Sequence, residues 1–330
     1  MQLAHGTAFG RGGKGSIFVW AAGNGHAEDD RADYDGYANS PYTIAVGALD
    51  HARNQAYYSE SGACLFIVMP SSGDGWLYGI TTADLSAPGK GYDGRSECTS
   101  GFGGTSAAAP LAAGLVALVL QVRPDLHWRD VQGVLAAAAA ASPHLAPAGR
   151  DEATLGAKGT FGGWSQGTAT PHHHGYGFGM PTADAALRVA TSWESWPMPQ
   201  LGYTSDALIN LRLALTAANN FTVCYETLFP ATVEMTFIEH VQLSLGVTHG
   251  RRGDLGITLQ SPSGSTSVFA LPHADVHANY PLDGWTFTSV HHWGERQLAG
   301  PWTLCVADLV RGNGHDAGVL DSLRISVYGH

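Results

Sequence analysis

The order of apolar and polar residues divides the chain into two parts of different texture. In the first part, residues 16–20 and 42–49 are apolar runs that lead into small residues and Gly. Such runs are typical of buried parallel strands that carry loops at their C-terminal ends. Residues 105–120, 128–141 and 182–190 are rich in good helix formers and predict three helices. The first part is therefore predicted to be an α/β fold.

From about residue 203 the chain changes to short alternating runs separated by Gly, Pro, Asn and Asp, which predict β-strands. These runs are residues 241–247, 255–259 and 323–328. Together they predict an all-β sandwich. The seam between the two parts falls over residues 193–200, which contain two prolines and a short aromatic cluster. We therefore predict two domains, over residues 1–195 and 203–330.

Composition narrows the classes of partner. Seventeen Lys and Arg against 28 Asp and Glu give a formal charge of −11, which repels nucleic acid and anionic membranes and favours a basic peptide as partner. The N-terminal residues lack the basic start and apolar core of a signal peptide. We also expect no membrane span, because no stretch reaches ~18 apolar residues. The longest apolar run, residues 111–122, predicts a buried helix.

Two polar residues lie where chemistry is expected. Ser106 stands at the start of the helix predicted from residue 105, where the helix dipole and backbone N–H groups help to hold negative charge. Its alternative role is a plain N-cap. Asn24 lies on the loop after the first strand, and its neutral amide has the chemistry of an oxyanion donor. Its alternative role is a residue of a Gly-Asn-Gly turn.

Longer runs around these residues resemble one family. In the first part they are Gly-Arg-Gly-Gly-Lys-Gly-Ser-Ile-Phe-Val-Trp-Ala-Ala-Gly-Asn-Gly (10–25), Tyr-Asp-Gly-Tyr-Ala-Asn-Ser (34–40), Gly-Thr-Ser-Ala-Ala-Ala-Pro-Leu-Ala-Ala-Gly (104–114) and Leu-His-Trp-Arg-Asp-Val-Gln (126–132). They resemble the kexin/furin proprotein convertases, which are subtilisin-like serine proteases. Runs at 238–241, 251–255, 261–264, 283–287 and 293–296 resemble the P (Homo B) domain of the same enzymes. The resemblance covers essentially the whole chain and implies the C-terminal part of a subtilisin-like α/β catalytic domain followed by a P domain.

The resemblance also implies roles for individual residues. Ser106 matches the nucleophile and Asn24 the oxyanion-hole asparagine. Asp35 matches an acid at the base of the pocket that receives the basic residue before the cut, although an Asp before Gly also suits a plain turn. Asp30 and Glu60 match two carboxylates of a structural calcium site. The third carboxylate of that site lies, in the family, in a segment that this sequence does not contain, so we expect an incomplete site.

The implied function is a serine endopeptidase that cleaves secretory proproteins after paired basic residues, in the secretory pathway or Golgi or after secretion. In the family, the Asp and His motifs precede the oxyanion asparagine by a long stretch, whereas only 23 residues precede Asn24. The triplet His5-Gly-Thr copies a histidine motif by coincidence, because it falls where the family has a helix. We therefore expect this chain to be inactive alone, since serine needs an adjacent base.

Two other functions compete with this one. The chain can be a non-catalytic protein whose P domain serves in folding or protein interaction. A lipase-like hydrolase is disfavoured, because no serine stands in a Gly-x-Ser-x-Gly motif.

Several other residues match functional motifs, and for each we also consider a purely structural role. The run of histidines from His172 to His174 predicts a polar loop rather than a metal site. The triplet from Arg252 to Asp254 predicts a hairpin turn rather than an adhesion motif. Cys224 and Cys305 are candidates for a bridge across the sandwich, and a bridge between Cys64 and Cys98 is conceivable, although it is not the family's connectivity.

Overall fold

The computed structural model describes residues 2–74, 78–85, 89–92, 96–140, 170–197, 201–205, 208–230, 235–281, 284–315 and 317–330. The helices of this described part are α1 (Gln2–Gly13), α2 (Thr105–Val122), α3 (Trp128–Ala140) and α4 (Ala183–Thr191). The last three confirm the predicted helices to within about two residues. Residue 141, the predicted end of α3, lies outside the described residues.

A three-stranded parallel sheet forms the centre of the first part. Its strands are β1 (Phe18–Ala21), β2 (Thr43–Leu49) and β3 (Leu65–Pro70), in the order β1-β2-β3. Every residue of β2 is buried, as expected for a central parallel strand. The first two strands confirm the sequence prediction, whereas β3 was missed. On its outer side β1 pairs with none of the described strands.

Helix α2 packs on all three strands of this sheet and on α4. Its buried side consists of small and branched residues such as Ala108, Leu115 and Val119. The prediction of a buried helix over residues 111–122 is correct for only one side of it, because Leu111, Leu118 and Val122 are 39%, 43% and 47% exposed. One face of α2 is therefore apolar and open.

The same helix corrects a second expectation. By length and composition α2 is apolar enough to cross a membrane, although we expected no such stretch. Its packing against the parallel sheet is, however, that of a core helix in a globular domain. A small antiparallel pair, β4 (Ile80–Ala83) with β5 (Cys98–Phe102), precedes α2.

The second part is a β-sandwich, as predicted. Its strands are β6 (Leu201–Thr204), β7 (Leu208–Leu215), β8 (Thr222–Phe229), β9 (Ile238–His249), β10 (Leu255–Gln260), β11 (Thr266–Ala270), β12 (Thr286–Ser289), β13 (Gly300–Asp308) and β14 (Gly318–Gly329). One sheet has the order β11-β10-β13-β8, and the other has β12-β9-β14-β6 with β7 also paired to β14. The inward residues of both sheets form one apolar core that includes the fully buried Trp302.

The cysteines and the Arg-Gly-Asp triplet take plain structural roles. A disulfide joins Cys224 to Cys305, which face each other on β8 and β13, so the predicted pairing is confirmed, although the bridge links neighbouring strands of one sheet and does not cross the sandwich. Cys64 and Cys98 are both free, which excludes the bridge between them in this structure. Residues Arg252–Asp254 form a single 3₁₀ turn between β9 and β10 with Gly253 and Asp254 buried. A buried aspartate is not presented to a receptor, which agrees with a structural turn rather than an adhesion motif. The predicted hairpin is wrong, however, because β9 and β10 belong to different sheets and the turn connects one sheet to the other.

Charged and polar residues join the two parts. The Nε of Arg129 on α3 donates to Oε2 of Glu239 on β9 at 2.8 Å, and both side chains are fully buried. The hydroxyl of Tyr34 donates to the carbonyl of Leu271 at 2.9 Å, and Nδ2 of Asn39 donates to the carbonyl of Thr286 at 2.7 Å. The structure describes the seam as far as Pro197. The seam packs against the sandwich through Trp196, whose ring lies 5.3 Å from that of Phe237.

Three histidines form the middle of this interface. The Nδ1 atoms of His172 and His291 lie 3.0 Å apart, and the rings of His174 and His291 stack at 4.4 Å. The Nε2 of His174 accepts a hydrogen bond from the backbone N–H of Val268 at 3.0 Å. Residues 172–174 do lie in a loop, as predicted, but their side chains are buried against the sandwich, which the sequence pattern did not indicate.

Candidate active site

Ser106 lies in the first turn of α2 and faces solvent. The helix begins after Gly104, whose φ of 75° is in the left-handed region that favours glycine. Because Gly104 occupies the N-cap position and Ser106 lies two residues further on, Ser106 is not the cap of this helix. Within the described part of the chain, neither its hydroxyl nor its N–H makes a hydrogen bond. Both groups are therefore free to contact a substrate.

Asn24 lies over this helix start and is held there by Thr105. The Oδ1 of Asn24 accepts hydrogen bonds from the backbone N–H of Thr105 at 2.8 Å and from its hydroxyl at 3.0 Å. The same hydroxyl accepts a hydrogen bond from the N–H of Gly23 at 3.3 Å. Because Oδ1 is engaged twice, the amide orientation is fixed and Nδ2 is left as a donor. The sequence offered no signal for this role of Thr105.

No base accompanies Ser106 among the described residues. His5 lies in α1, where its ring contacts Phe9 at 4.9 Å, so its triplet belongs to a helix as expected. His26 is the histidine of the Asn24 loop, and burial lowers its pKa. Neither of these histidines hydrogen-bonds the serine. The described residues thus provide a serine and an amide donor but no proton acceptor.

Acidic residues lie beneath the Asn24 loop. The Oε1 of Glu60 accepts a hydrogen bond from the N–H of Gly25 at 2.8 Å. A Cβ at Gly23 would stand 2.3 Å from this carboxylate, so only glycine allows so close an approach. Burial, reinforced by repulsion from Asp30 and other acids, raises the pKa of Glu60 to about 7. Glu60 is therefore an acid that a nearby cation would help to ionise.

Asp30 lies against the same loop, with its Cβ 2.8 Å from where a Cβ of Gly25 would stand. Two carboxylates are donors of the kind that calcium takes, but calcium needs roughly six to eight oxygen ligands. The described segments contain no cluster of three or more acidic, His or Cys side chains able to hold a metal. Asp30 and Glu60 alone do not make a calcium site, and we derive no catalytic step from calcium.

Asp35 follows a 3₁₀ turn and is exposed. Its Oδ1 accepts hydrogen bonds from the N–H groups of Tyr37 at 2.8 Å and Ala38 at 2.7 Å, so it does build a turn. Its Oδ2 makes no hydrogen bond with the residues that the structure describes. Beside it, the exposed rings of Trp20 and Tyr37 stack at 4.4 Å. Asp35 therefore has an oxygen free for a cation, but these residues form no closed pocket around it.

A buried ion pair connects this acidic region to the sandwich. The Nη2 of Arg31 lies 2.6 Å from Oδ2 of Asp33 and donates to the carbonyl of Val268 at 2.8 Å. Burial raises the pKa of Asp33, while the Arg31 guanidinium opposes that rise. No local pattern predicted this pair, which holds the segment between Asp30 and Asp35 against the sandwich.

A second serine constellation occurs in the sandwich. The hydroxyl of Ser267 lies 2.9 Å from Nε2 of His292, whose Nδ1 lies 3.0 Å from Oε1 of Glu295. The order of these groups matches that of a Ser-His-acid triad. All three side chains are buried to within 1% of their surface, so no substrate can reach the serine. This array stabilises the sandwich and is not a catalytic site.

Comparisons with known proteins agree with this geometry. Residues 2–179 match the family described as "Subtilase family", and residues 238–327 match "Proprotein convertase P-domain". The chain is 37% identical over 99% of its length to "Proprotein convertase subtilisin/kexin type 7" of Mus musculus, of which it covers 40%. It is 34% identical over 98% of its length to "Furin" of Bos taurus, of which it covers 37%. The chain thus spans about two fifths of the length of these curated relatives.

Within the family, the sequence runs at 120–124 and 293–296 favour the type 7 convertases. Among solved structures, "Crystal structure of serine protease of Aeromonas sobria" superposes with a TM-score of 0.84 at 20% identity, covering 100% of this chain and 67% of that one. Identity that low supports the fold alone. The family match extends over more than half of the chain, so the chain belongs to the subtilase family and carries a proprotein convertase P-domain after its serine-bearing part.

Proposed function

We propose that this chain is the serine-bearing part of a serine endopeptidase that cleaves proproteins after paired basic residues in the secretory pathway. The observation that carries the proposal is the arrangement of Ser106 and Asn24. An unengaged serine stands in the first turn of a helix, beside an amide whose orientation Thr105 fixes. The proposed catalytic domain extends over residues 1–195 and the P domain over 203–330.

In the proposed reaction the hydroxyl of Ser106 attacks the carbonyl carbon of the substrate peptide bond. Negative charge then develops on the carbonyl oxygen, which accepts hydrogen bonds from the N–H of Ser106 and Nδ2 of Asn24. A base must remove the proton of the hydroxyl and later deliver it to the leaving amine. Since the described residues supply no such base, this chain alone is proposed to be inactive.

Two uncovered surfaces of the first part support a proposal for where the catalytic base comes from. The outer edge of β1 has no described partner, and α2, the helix whose first turn carries Ser106, exposes Leu111, Leu118 and Val122 further along its length. Unpaired edges and apolar helix faces are normally covered. We propose that they are covered by a strand and helix that carry the family's Asp and His motifs, which place a histidine beside Ser106.

The charges support a basic substrate. Asp35 has a free carboxylate oxygen, and Asp30 and Glu60 lie nearby beneath the Asn24 loop. A guanidinium or ammonium group pairs favourably with such carboxylates. We also propose, from the family, that Asp30 and Glu60 contribute to a structural calcium site when further oxygen ligands are present.

A second function is favoured by one observation. The interface between the two parts contains the fully buried Arg129–Glu239 ion pair, whereas Ser106 has no base among the described residues. This combination also fits a non-catalytic protein in which the P domain serves in folding or protein interaction.

The test uses this chain joined to the segment of the mouse type 7 relative that carries the Asp and His motifs, which we call the complemented enzyme. Fluorogenic peptides that end in Arg-Arg or Ala-Ala before the reporter are compared. We expect cleavage of the Arg-Arg peptide, loss of that cleavage in Ser106→Ala, and no loss in the control Ser100→Ala. Equal cleavage of both peptides would contradict the proposed specificity, and a folded protein without cleavage would favour the second function.

A further inference from the structure

One surface turn of the sandwich has properties that the protease site does not use. The sequence contains a single Asn-x-Ser/Thr triplet, Asn220-Phe221-Thr222. It lies in the connection between β7 and β8, where a 3₁₀ turn over Ala217–Asn219 ends at Asn220. Asn220 has φ 54° and ψ 36°, which is the left-handed conformation that asparagine tolerates best after glycine. Its side chain is exposed.

The two polar atoms of the Asn220 side chain have different surroundings. Nη1 of Arg311 donates to Oδ1 at 2.6 Å, and Nη2 of the same guanidinium donates to the backbone carbonyl of Asn220 at 2.6 Å. Nδ2 of Asn220 makes no hydrogen bond with any part of the chain that the structure describes. The amide is therefore held by its oxygen while its nitrogen is left to solvent.

The neighbouring asparagine shows the opposite arrangement. Nδ2 of Asn219 donates to the carbonyl of Ala214 at 2.7 Å, and its Oδ1 accepts a hydrogen bond from the N–H of Thr216 at 2.8 Å. Asn219 thus closes the turn, and Asn220 does not. This contrast makes Asn219 a matched control for any role of the Asn220 amide.

The turn keeps this shape without a glycine. Phe221 also has a positive φ, of 53°, which is strained for an aromatic residue. The strain is offset by the guanidinium of Arg311, which lies 5.0 Å from the Phe221 ring, and by the Phe221 N–H, which donates to the carbonyl of Thr216 at 2.7 Å. The fold therefore specifies an outward Asn220 amide followed by a threonine hydroxyl.

We propose that Asn220 is an N-glycosylation site. In that reaction Nδ2 of Asn220 forms a bond to C1 of the first sugar of a lipid-pyrophosphate-linked oligosaccharide. The bond from C1 to the pyrophosphate breaks, the lipid pyrophosphate leaves, and the amide loses one proton. This inference rests on the secretory location in the proposed function. The folded structure accommodates the product, because the atom that carries the sugar is exposed and contributes no hydrogen bond to the fold.

The position of the site indicates what the glycan does. Asn220 stands two residues before β8, which is a terminal strand of its sheet among the described strands. The free edge of such a strand can pair with a strand of another molecule, and Leu228 at its other end is 71% exposed. A glycan at the start of β8 covers this edge and keeps two molecules from joining there.

The test directs the full chain into the secretory pathway of a eukaryotic host behind a cleavable signal peptide. Digestion with a peptide-N-glycosidase is expected to shift its mobility and to leave a carboxylate at position 220, read by peptide mass. The shift is lost in Asn220→Gln and Thr222→Ala, and it is kept in Thr222→Ser and in the control Asn219→Gln. Transfer occurs on the nascent chain, so a variant that folds poorly still reports. A chain that has lost its signal peptide yet carries no glycan would overturn the proposal, as would a shift that persists in Asn220→Gln.

Sedimentation velocity then tests the role at the edge. Asn220→Gln is expected to self-associate as concentration rises, and the added change Leu228→Lys is expected to reverse this. Glycan-free protein that remains monomeric would overturn the protective role. Failure of this site leaves the chemistry of Ser106 untouched, because glycan mapping requires no protease activity, so the two proposals fail separately.

Discussion

Thr105 donates two hydrogen bonds to one atom, Oδ1 of Asn24, from its backbone N–H at 2.8 Å and its hydroxyl at 3.0 Å. Residues 81 positions apart are thereby locked together at the start of α2. The amide that would stabilise an oxyanion is held before any substrate arrives, as electrostatic preorganisation requires. Thr105 acts through Asn24 and is a positioning residue.

Thr105→Val removes one of these donors while keeping the size of the side chain. A neutral hydrogen bond contributes roughly 0.5–1.5 kcal/mol, so we expect kcat of the complemented enzyme to fall about 2- to 10-fold with KM unchanged. Thr105→Ser keeps the hydroxyl and should retain most of the activity. A change in KM alone would argue against the positioning role.

Asn24→Ala should have a larger effect, because it removes the proposed oxyanion donor itself. Loss of one such donor lowers kcat by about 10²–10³-fold. Steady-state kinetics of the complemented enzyme, with stability checked by thermal unfolding, gives the result. If Asn24→Ala and Thr105→Val act on one element, the double variant is no slower than Asn24→Ala; additive losses would show that Thr105 acts elsewhere.

We expect that removing one member of the buried Arg129–Glu239 ion pair destabilises the chain strongly, whereas replacing both members by apolar residues costs little stability. Arg129→Met leaves Glu239 buried without its main partner and is expected to destabilise the chain by about 3–5 kcal/mol. The double change Arg129→Met with Glu239→Leu should recover most of that loss. Denaturant unfolding measures both. The exposed pair Arg188–Asp184 is the control, where Arg188→Ala should change stability by less than about 0.5 kcal/mol; an equal effect at both sites would refute the argument.

The interface histidines predict loss of stability in acid. Burial lowers the pKa of His172 to about 3, and burial together with neighbouring histidines holds those of His174 and His291 well below the usual value. The unfolded chain, with histidine pKa values near 6.5, therefore binds more protons below that pH. The stability is fully present above about pH 6.5, and below it each histidine contributes a loss of up to about 1.4 kcal/mol per pH unit.

The groups that face this cluster are His173, Arg31 with its partner Asp33, and His292 with its partner Glu295. The Arg31 guanidinium and the neighbouring histidines further lower the pKa of His174. Unfolding midpoints measured between pH 7.5 and 5 should therefore fall steeply, and less steeply in His291→Asn. A flat profile for the unaltered chain would contradict this account.

Much of the first part could be predicted because its signals are local. Hydropathy and the runs of small residues predict the strand before Asn24 and the helix after Gly104. The structure confirms both elements. Strand β3 was missed, although its residues Leu65–Pro70 are apolar and buried at the start. This run is short, and periodicity alone does not distinguish a short apolar strand from a buried piece of helix.

Features set by distant contacts could not be predicted. His172 looks polar in the sequence, yet it is buried because it meets His291, 119 residues away. The exposed face of α2 is as apolar as its buried face, so hydropathy cannot tell which side has a neighbour. The raised pKa of Glu60 likewise depends on burial beneath Gly23 and Gly25, which no local pattern reveals.

The central claim is that Ser106 and Asn24 form half of an active site whose base lies outside the described residues. Labelling the purified full chain with a fluorophosphonate probe tests it directly, because this reagent reacts with activated serines. The account predicts no labelling above that of Ser106→Ala for the chain alone, with its fold verified by circular dichroism, and strong labelling of the complemented enzyme. Labelling of the chain alone that disappears in Ser106→Ala would contradict the account, since a base would then be present within this chain.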